Sequence, residues 1–266
     1  MLQSFQQRYW LVSMSALAVF ICYIDRVNIS VAIIPMAETH GWSPQTQGLV
    51  LSSFFVGYLL LQIVGGRLSD RFGGKVVLGW GVLLWSLFTI LTPLAASAGI
   101  AVLIITRILM GMGEAVTYPS IYSLFARWLP TAERGRAMGL ANSGIPIGTA
   151  FALIVTPLIV KHWGWEWAFY GFGVLGIIWF VIWQFSVSHD PAHHPLITET
   201  ELAHIQQDGE HASDAPTPPI SAFLKSKAIW AIIVAHFCNN WSLYLLLSWL
   251  PTYINKGLGV DYASVG

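Results

Sequence analysis

The sequence predicts an all-α membrane protein, a six-helix bundle followed by a polar loop and a seventh helix. Hydrophobic residues make up 55% of the 266 and charged residues only 10%, where a soluble chain carries about 25% charged. Apolar runs of the roughly 20 residues needed to cross a bilayer occur seven times. The links between the first six are short, which makes successive helices antiparallel neighbours.

In order, the runs are Tyr9–Pro35, Gln47–Leu68, Val76–Ala96, Ile100–Phe125, Arg136–Val160, Trp165–Val187 and Lys227–Ile254. The first is too long for the core of a cleavable signal peptide and reads as a retained anchor. Orientation follows from basic residues in the links. Arg8, Arg67, Arg71, Lys75, Arg127, Arg134, Arg136, Lys225 and Lys227 fall on one side, against Lys161 and Lys256 on the other. That bias places the N-terminus and the long loop in the cytoplasm. Residues 188–226 are polar and acidic and contain Pro216, Pro218 and Pro219. Thr198 and Glu201 have the spacing of a capping box, so a short amphipathic helix is expected through Ile205, with the latter part of the loop a flexible linker. KGLGVDYASVG, after the seventh run, is similar to the turn HGWSPQTQGLVLSS after the first. This weak repeat reads as two related halves. The expected layout is therefore a six-span bundle (1–187), a cytoplasmic linker (188–226) and the first span of a second bundle (227–266), about half of a twelve-span protein plus one helix.

Several classes are disfavoured. A net charge of zero gives no reason to expect nucleic acid. Cys22 and Cys238 both lie in apolar runs, so a structural disulfide is not expected. His236 with Cys238 makes no complete metal-ligand set, and His189, His193 and His194 sit in a solvated loop. No nucleophile–base pair is visible, so an enzyme is not expected.

Charge inside the apolar runs is the functional signal, because an ionised side chain at membrane depth costs about 2.5–3.5 kcal/mol on insertion scales. Arg107 and Glu114, seven residues apart on the fourth run, share one helix face about 10 Å apart along the axis. They line a water-filled pathway or form a structural ion pair, Arg107 with Glu114 or with Asp25. Asp25 and Arg26 on the first run point about 100° apart, lining a wide cavity, pairing with another helix, or snorkelling at the outer interface. On the seventh run, Asn239 and Asn240 hydrogen-bond a substrate or hold helices together. The turn GRLSDRFGGK, residues 66–75, needs its glycines for a tight bend and, read from its residues alone, is a charged turn that fixes topology.

That turn, with Arg107, Gly111, Gly113 and Glu114 on the fourth run, resembles the signatures of the major facilitator superfamily. RVNISVAI in the first run, GMGEAVTYPS in the fourth and HFCNNWSLYLLLSWLPTY in the seventh are similar to its anion:cation symporter branch. That branch holds bacterial galactonate, glucarate and hexuronate transporters and is related to sialin and the vesicular glutamate transporters. The resemblance implies that Arg26, Arg107, Tyr23, Tyr58, Asn239 and Asn240 meet the substrate, and that Asp25 and Glu114 carry protons. It also implies a conformational latch of Gly66, Asp70, Arg71, Gly73 and Lys75 with Glu133 and Arg134. The expected activity is proton-coupled symport of a small organic anion, a sugar acid first, by alternating access. The alternatives are a uniporter or exchanger for phosphate, a dicarboxylate or an aromatic acid, and, more remotely, a non-transporting membrane receptor. No cofactor is expected beyond the coupling proton. The expected setting is a bacterial inner membrane, with the full-length protein a monomer.

Overall fold

The computed structural model describes residues 6–208 and 225–260. The acidic and proline-rich tract around Asp214–Pro219 and the residues after Val260 lie outside the described residues. Among the described residues the chain is helical, with no strand. Its long helices are α1 (Gln7–His40), α2 (Pro44–Phe72), α3 (Gly74–Ala98), α4 (Ile100–Glu114), α5 (Thr117–Trp128), α6 (Thr131–Asn142), α7 (Gly144–Trp163) and α8 (Trp165–Ser186). A short α9 (Glu199–Ile205) and a long α10 (Lys227–Thr252) follow. Counting α4 with α5 and α6 with α7, 7 helical segments are long and apolar enough to span a membrane.

The fourth and fifth spans are each broken in two, which the apolar runs did not reveal. Both breaks lie just before a proline. Pro119 has no amide to give the carbonyl of Ala115, and Pro146 none for Asn142. Removing the i→i−4 bond weakens the helix there, and nearby glycines (Gly111 and Gly113, Gly139 and Gly144) lower the cost of bending.

α1 is the centre of the bundle, buried along most of its length and packed on α7 and α8. α2 packs on α4, and α3 on α4 and α8. Small residues set these distances. A Cβ at Gly57 of α2 would collide with the Ile108 carbonyl, and one at Gly111 of α4 with the Phe54 carbonyl. The charged face of α4 is thereby held against α1 and α2. α10 lies along α1, sets Tyr244 edge-on to Phe55 of α2, and leaves most of its surface exposed.

The loop after α8 is fastened to the basic end of this bundle. Thr198 caps α9 by accepting from the Glu201 amide at 3.2 Å. The Glu201 carboxylate does not complete the box. It accepts from the Gln7 and Arg8 amides at 3.1 and 3.0 Å, at the start of α1, where the helix dipole favours an anion. Ile205 is buried in the main core.

Candidate functional site

Arg26 and Glu114 form the centre of the site. Arg26 Nε and Nη2 both donate to Glu114 Oε2, at 2.9 and 2.8 Å. Arg26 Nη1 donates to the Tyr244 hydroxyl of α10 at 2.9 Å. Four rings surround the guanidinium, with centroids at 4.8 Å (Tyr58), 5.0 Å (Tyr23), 5.2 Å (Phe54) and 5.8 Å (Tyr244). Such contacts contribute about 0.5–2 kcal/mol each and stand in for part of the water that a buried cation has lost. Glu114 has no exposed surface, and among the described residues its Oε1 has no hydrogen-bond partner.

Arg107 is arranged differently. It is 1% exposed, lies over Phe54 at 5.2 Å, and donates from Nη1 to Met110 Sδ at 2.9 Å. Among the described residues no carboxylate lies in salt-bridge range of it. The structural pairing of Arg107 with Glu114 or Asp25 is therefore not formed, because Arg26 reaches Glu114 first. Asp25 is 1% exposed and both of its oxygens lack a hydrogen-bond partner. Trp85 and Thr89 of α3 face it. Its burial in the bundle rules out snorkelling at an interface.

A cavity opens on this cluster, lined by Arg26, Ile29, Leu51, Phe54, Phe55, Arg107, Tyr244, Leu247 and Ser248. Arg26 and Arg107 line it, while Asp25 and Glu114 do not. At about 10 Å³ it has room for about one water, so an organic anion needs it to widen. Tyr23 and Tyr58 contact Arg26 from behind rather than lining the cavity.

Asn239 and Asn240 are not brought to this cavity. Asn239 is exposed, and Asn240 Nδ2 is turned back to the His236 carbonyl at 2.9 Å. The face of α10 that meets the bundle carries Tyr244, Leu247 and Ser248 instead. Tyr244 was missed by the sequence reading, although it stands one turn beyond Asn240. Cys22 was missed as well: its thiol donates to Glu114 Oε2 at 3.0 Å. Its place one turn before Arg26 was the available signal.

At the basic end, the residues of the expected latch do not all meet. Asp70 and Arg71 are exposed, and among the described residues Asp70 takes no ion pair. Glu133 pairs with Arg8 at 3.1 Å and with His204 of α9 at 2.9 Å. Arg134 donates to the Leu129 and Ala126 carbonyls at 3.1 and 3.0 Å, closing the turn between α5 and α6. Lys75 donates to the Gln184 carbonyl at 3.2 Å, which ties α3 to α8. Gly66 sits on α2 with open space around it, and Gly73 carries the positive φ of +84° at the turn.

The family model described as Major Facilitator Superfamily matches residues 15–266. The chain belongs to that superfamily. Among curated proteins it is 42% identical over 264 residues to a "Probable anion transporter 4, chloroplastic" of Oryza sativa subsp. japonica, covering 99% of this chain and 45% of that protein. It is 40% identical over 264 residues to an "Ascorbate transporter, chloroplastic" of Arabidopsis thaliana, covering 99% and 49%. The chain thus spans about half the length of the curated relatives it matches. Among solved structures, a bacterial homolog of the human lysosomal transporter Spinster, in an inward-facing and occupied conformation, aligns with a TM-score of 0.76 at 21% identity. That alignment covers 97% of this chain and 56% of the other and shows the superfamily's fold.

Proposed function

We propose that this chain supplies the first half and one further helix of a carrier that moves a small organic anion together with protons by alternating access. The sorting of charge carries this reading: Arg26 and Arg107 line the cavity, and Asp25 and Glu114 do not. Such a lining favours an anion. Arg107, with no carboxylate in salt-bridge range among the described residues, is the group that takes the substrate carboxylate in a charge-assisted pair. Arg26 is held by Glu114 until that carboxyl takes a proton, and is then free to turn to the substrate. Asp25, buried in the bundle and outside any ion pair among the described residues, is the second proton site. Two protons moved with a monoanion make transport electrogenic. Tyr23 and Tyr58 steady Arg26, and Tyr244 meets it from the helix that begins the second half.

The anion-transporter relatives support the substrate class, and the ascorbate transporter among them supports a sugar-derived acid. The basic bias of the links supports a cytoplasmic N-terminus and linker. The resemblance to bacterial sugar-acid carriers supports a bacterial inner membrane and a monomer. Asp70, Arg71 and Glu133 are read as latch residues that meet the second half in another conformation.

Uptake by the full-length protein in proteoliposomes under an imposed pH gradient tests this. Glu114→Gln should abolish proton-driven uptake. Intact proton-driven uptake in that variant would remove Glu114 from the coupling role, and counterflow without pH dependence in the parent protein would favour a uniporter or exchanger.

A further inference from the structure

Cys22 lies one helical turn before Arg26 on α1, between the two partners of the central ion pair. Its Sγ is 3.0 Å from Glu114 Oε2 and 3.5 Å from Arg26 Nη2. The three side-chain donors that reach Glu114 (Arg26 Nε, Arg26 Nη2 and Cys22 Sγ) all converge on Oε2. Oε1 is buried and has no partner. Two of those donors belong to a group whose hold depends on charge. When Glu114 takes a proton the attraction to Arg26 falls, and the guanidinium is free to leave. The thiol then remains as the one side-chain donor on Oε2 among the described residues. It is neutral and fixed to the most buried helix of the bundle, so it does not leave with Arg26.

We propose that Cys22 is a positioning residue for Glu114. Its S–H holds Oε2 in both protonation states. The proton is taken at Oε1 when alternating access opens the site and is returned from there, and the carboxyl keeps the orientation in which Arg26 can re-pair with it. Cys22 itself neither gains nor loses a proton. The role rests on the reading of Glu114 as a coupling residue. The hydrogen bond does not, so the two are tested separately.

In the full-length protein, the infrared S–H stretching band of Cys22 is assigned by its loss in Cys22→Ala. It should lie at the lower frequency of a hydrogen-bonded thiol and rise in Glu114→Gln, whose amide oxygen is the weaker acceptor. A Cys22 band at the free-thiol frequency overturns the proposal without any transport measurement or any need for a variant to remain active. In proteoliposomes, Cys22→Ala should raise the half-maximal pH of uptake by about half to one unit, the amount by which a hydrogen bond to the carboxylate exceeds one to the neutral carboxyl. Cys22→Ser, which restores a donor, should bring it back. A Cys22→Ala profile superimposed on a pH-dependent parent profile overturns the role of Cys22 alone. A parent protein whose uptake ignores pH overturns the coupling reading and, with it, the positioning role, while the infrared band still reports the bond.

Discussion

Arg26 binds Glu114 through a single oxygen, and that asymmetry separates the two buried arginines by function. Breaking a buried pair leaves an uncompensated charge and costs about 3–5 kcal/mol, whereas removing a buried charge that has no ion-pair partner is neutral or stabilising. Arg26→Met in the full-length protein should therefore lower thermal stability by about that amount, since Glu114 keeps only the Cys22 thiol. Arg107→Met, of similar length and able to pack on Phe54 and Met110, should leave the melting temperature unchanged or raise it. A greater loss from Arg107→Met than from Arg26→Met would show that the pairing has been assigned to the wrong arginine.

The same substitution should have the opposite rank in binding. A charge-assisted hydrogen bond contributes about 1.5–3 kcal/mol, and each 1.4 kcal/mol is about tenfold in affinity. Arg107→Met should thus weaken binding of the transported anion by about ten- to a hundredfold, read by titration calorimetry on the detergent-solubilised full-length protein. A variant that folds as well as its parent and binds equally tightly would remove Arg107 from the substrate site.

Tyr244 connects α10 to the bundle by one hydrogen bond and one ring contact. Tyr244→Phe keeps the ring on Phe55 and removes the acceptor for Arg26 Nη1, a loss of about 0.5–1.5 kcal/mol. Uptake should fall by about two- to tenfold. Tyr244→Ala also empties one side of the ring cage and should fall further. Asn239→Ala and Asn240→Ala, on residues turned away from the cavity, should leave the KM within about twofold. The reverse order would return the substrate contact on this helix to the asparagines.

The fold was largely legible because bilayer thickness imposes a run length that composition alone reveals, and because tight turns between spans demand glycine and charge. The broken helices were less legible. Pro119 and Pro146 interrupt α4–α5 and α6–α7, yet Pro35, Pro93 and Pro157 are carried within helices, so proline by itself does not mark a break. The four charges were legible from their cost at membrane depth. Their pairing was not, since helical spacing relates Arg107 to Glu114 on one helix but is silent on the crossing of α1 that brings Arg26 closer. Cys22 and Tyr244 carry only a positional signal, one turn from Arg26 and from Asn240, because a thiol or a tyrosine in an apolar run is ordinary and only the opposing helix gives it a partner. The linker contacts were hidden for the same reason: Glu201 has capping-box spacing but serves a different helix.

That linker makes one contact whose pH dependence can be worked out. The ring of His189 occupies the space a Cβ would take at Gly73, in the turn between α2 and α3, and its Nε2 lies 3.4 Å from Arg127 Nη1 of α5. Burial holds the His189 pKa below the usual imidazole value, the Arg127 guanidinium and Lys75 act in the same direction, and Asp190 partly opposes them. A histidine whose folded pKa is depressed contributes stability above its unfolded value of about 6.5, and that contribution is lost as pH falls through the folded value. The linker should therefore be held at pH 7.5 and loosened toward pH 5. Protease cleavage within residues 188–208 of the full-length protein should accelerate as pH falls, and the ratio of parent to His189→Gln cleavage rates, in which the protease's own pH dependence cancels, should rise from pH 7.5 to pH 5; a ratio that stays flat would remove His189 from this role. Gly73→Ala should loosen the linker at every pH, because it both strains a residue at φ +84°, at about 1–2 kcal/mol, and displaces the imidazole. In Gly73→Ala combined with His189→Ala the displacement disappears and only the strain remains. The double variant should then lose less than the sum of the two single losses, and strict additivity would show that the ring and the turn do not touch.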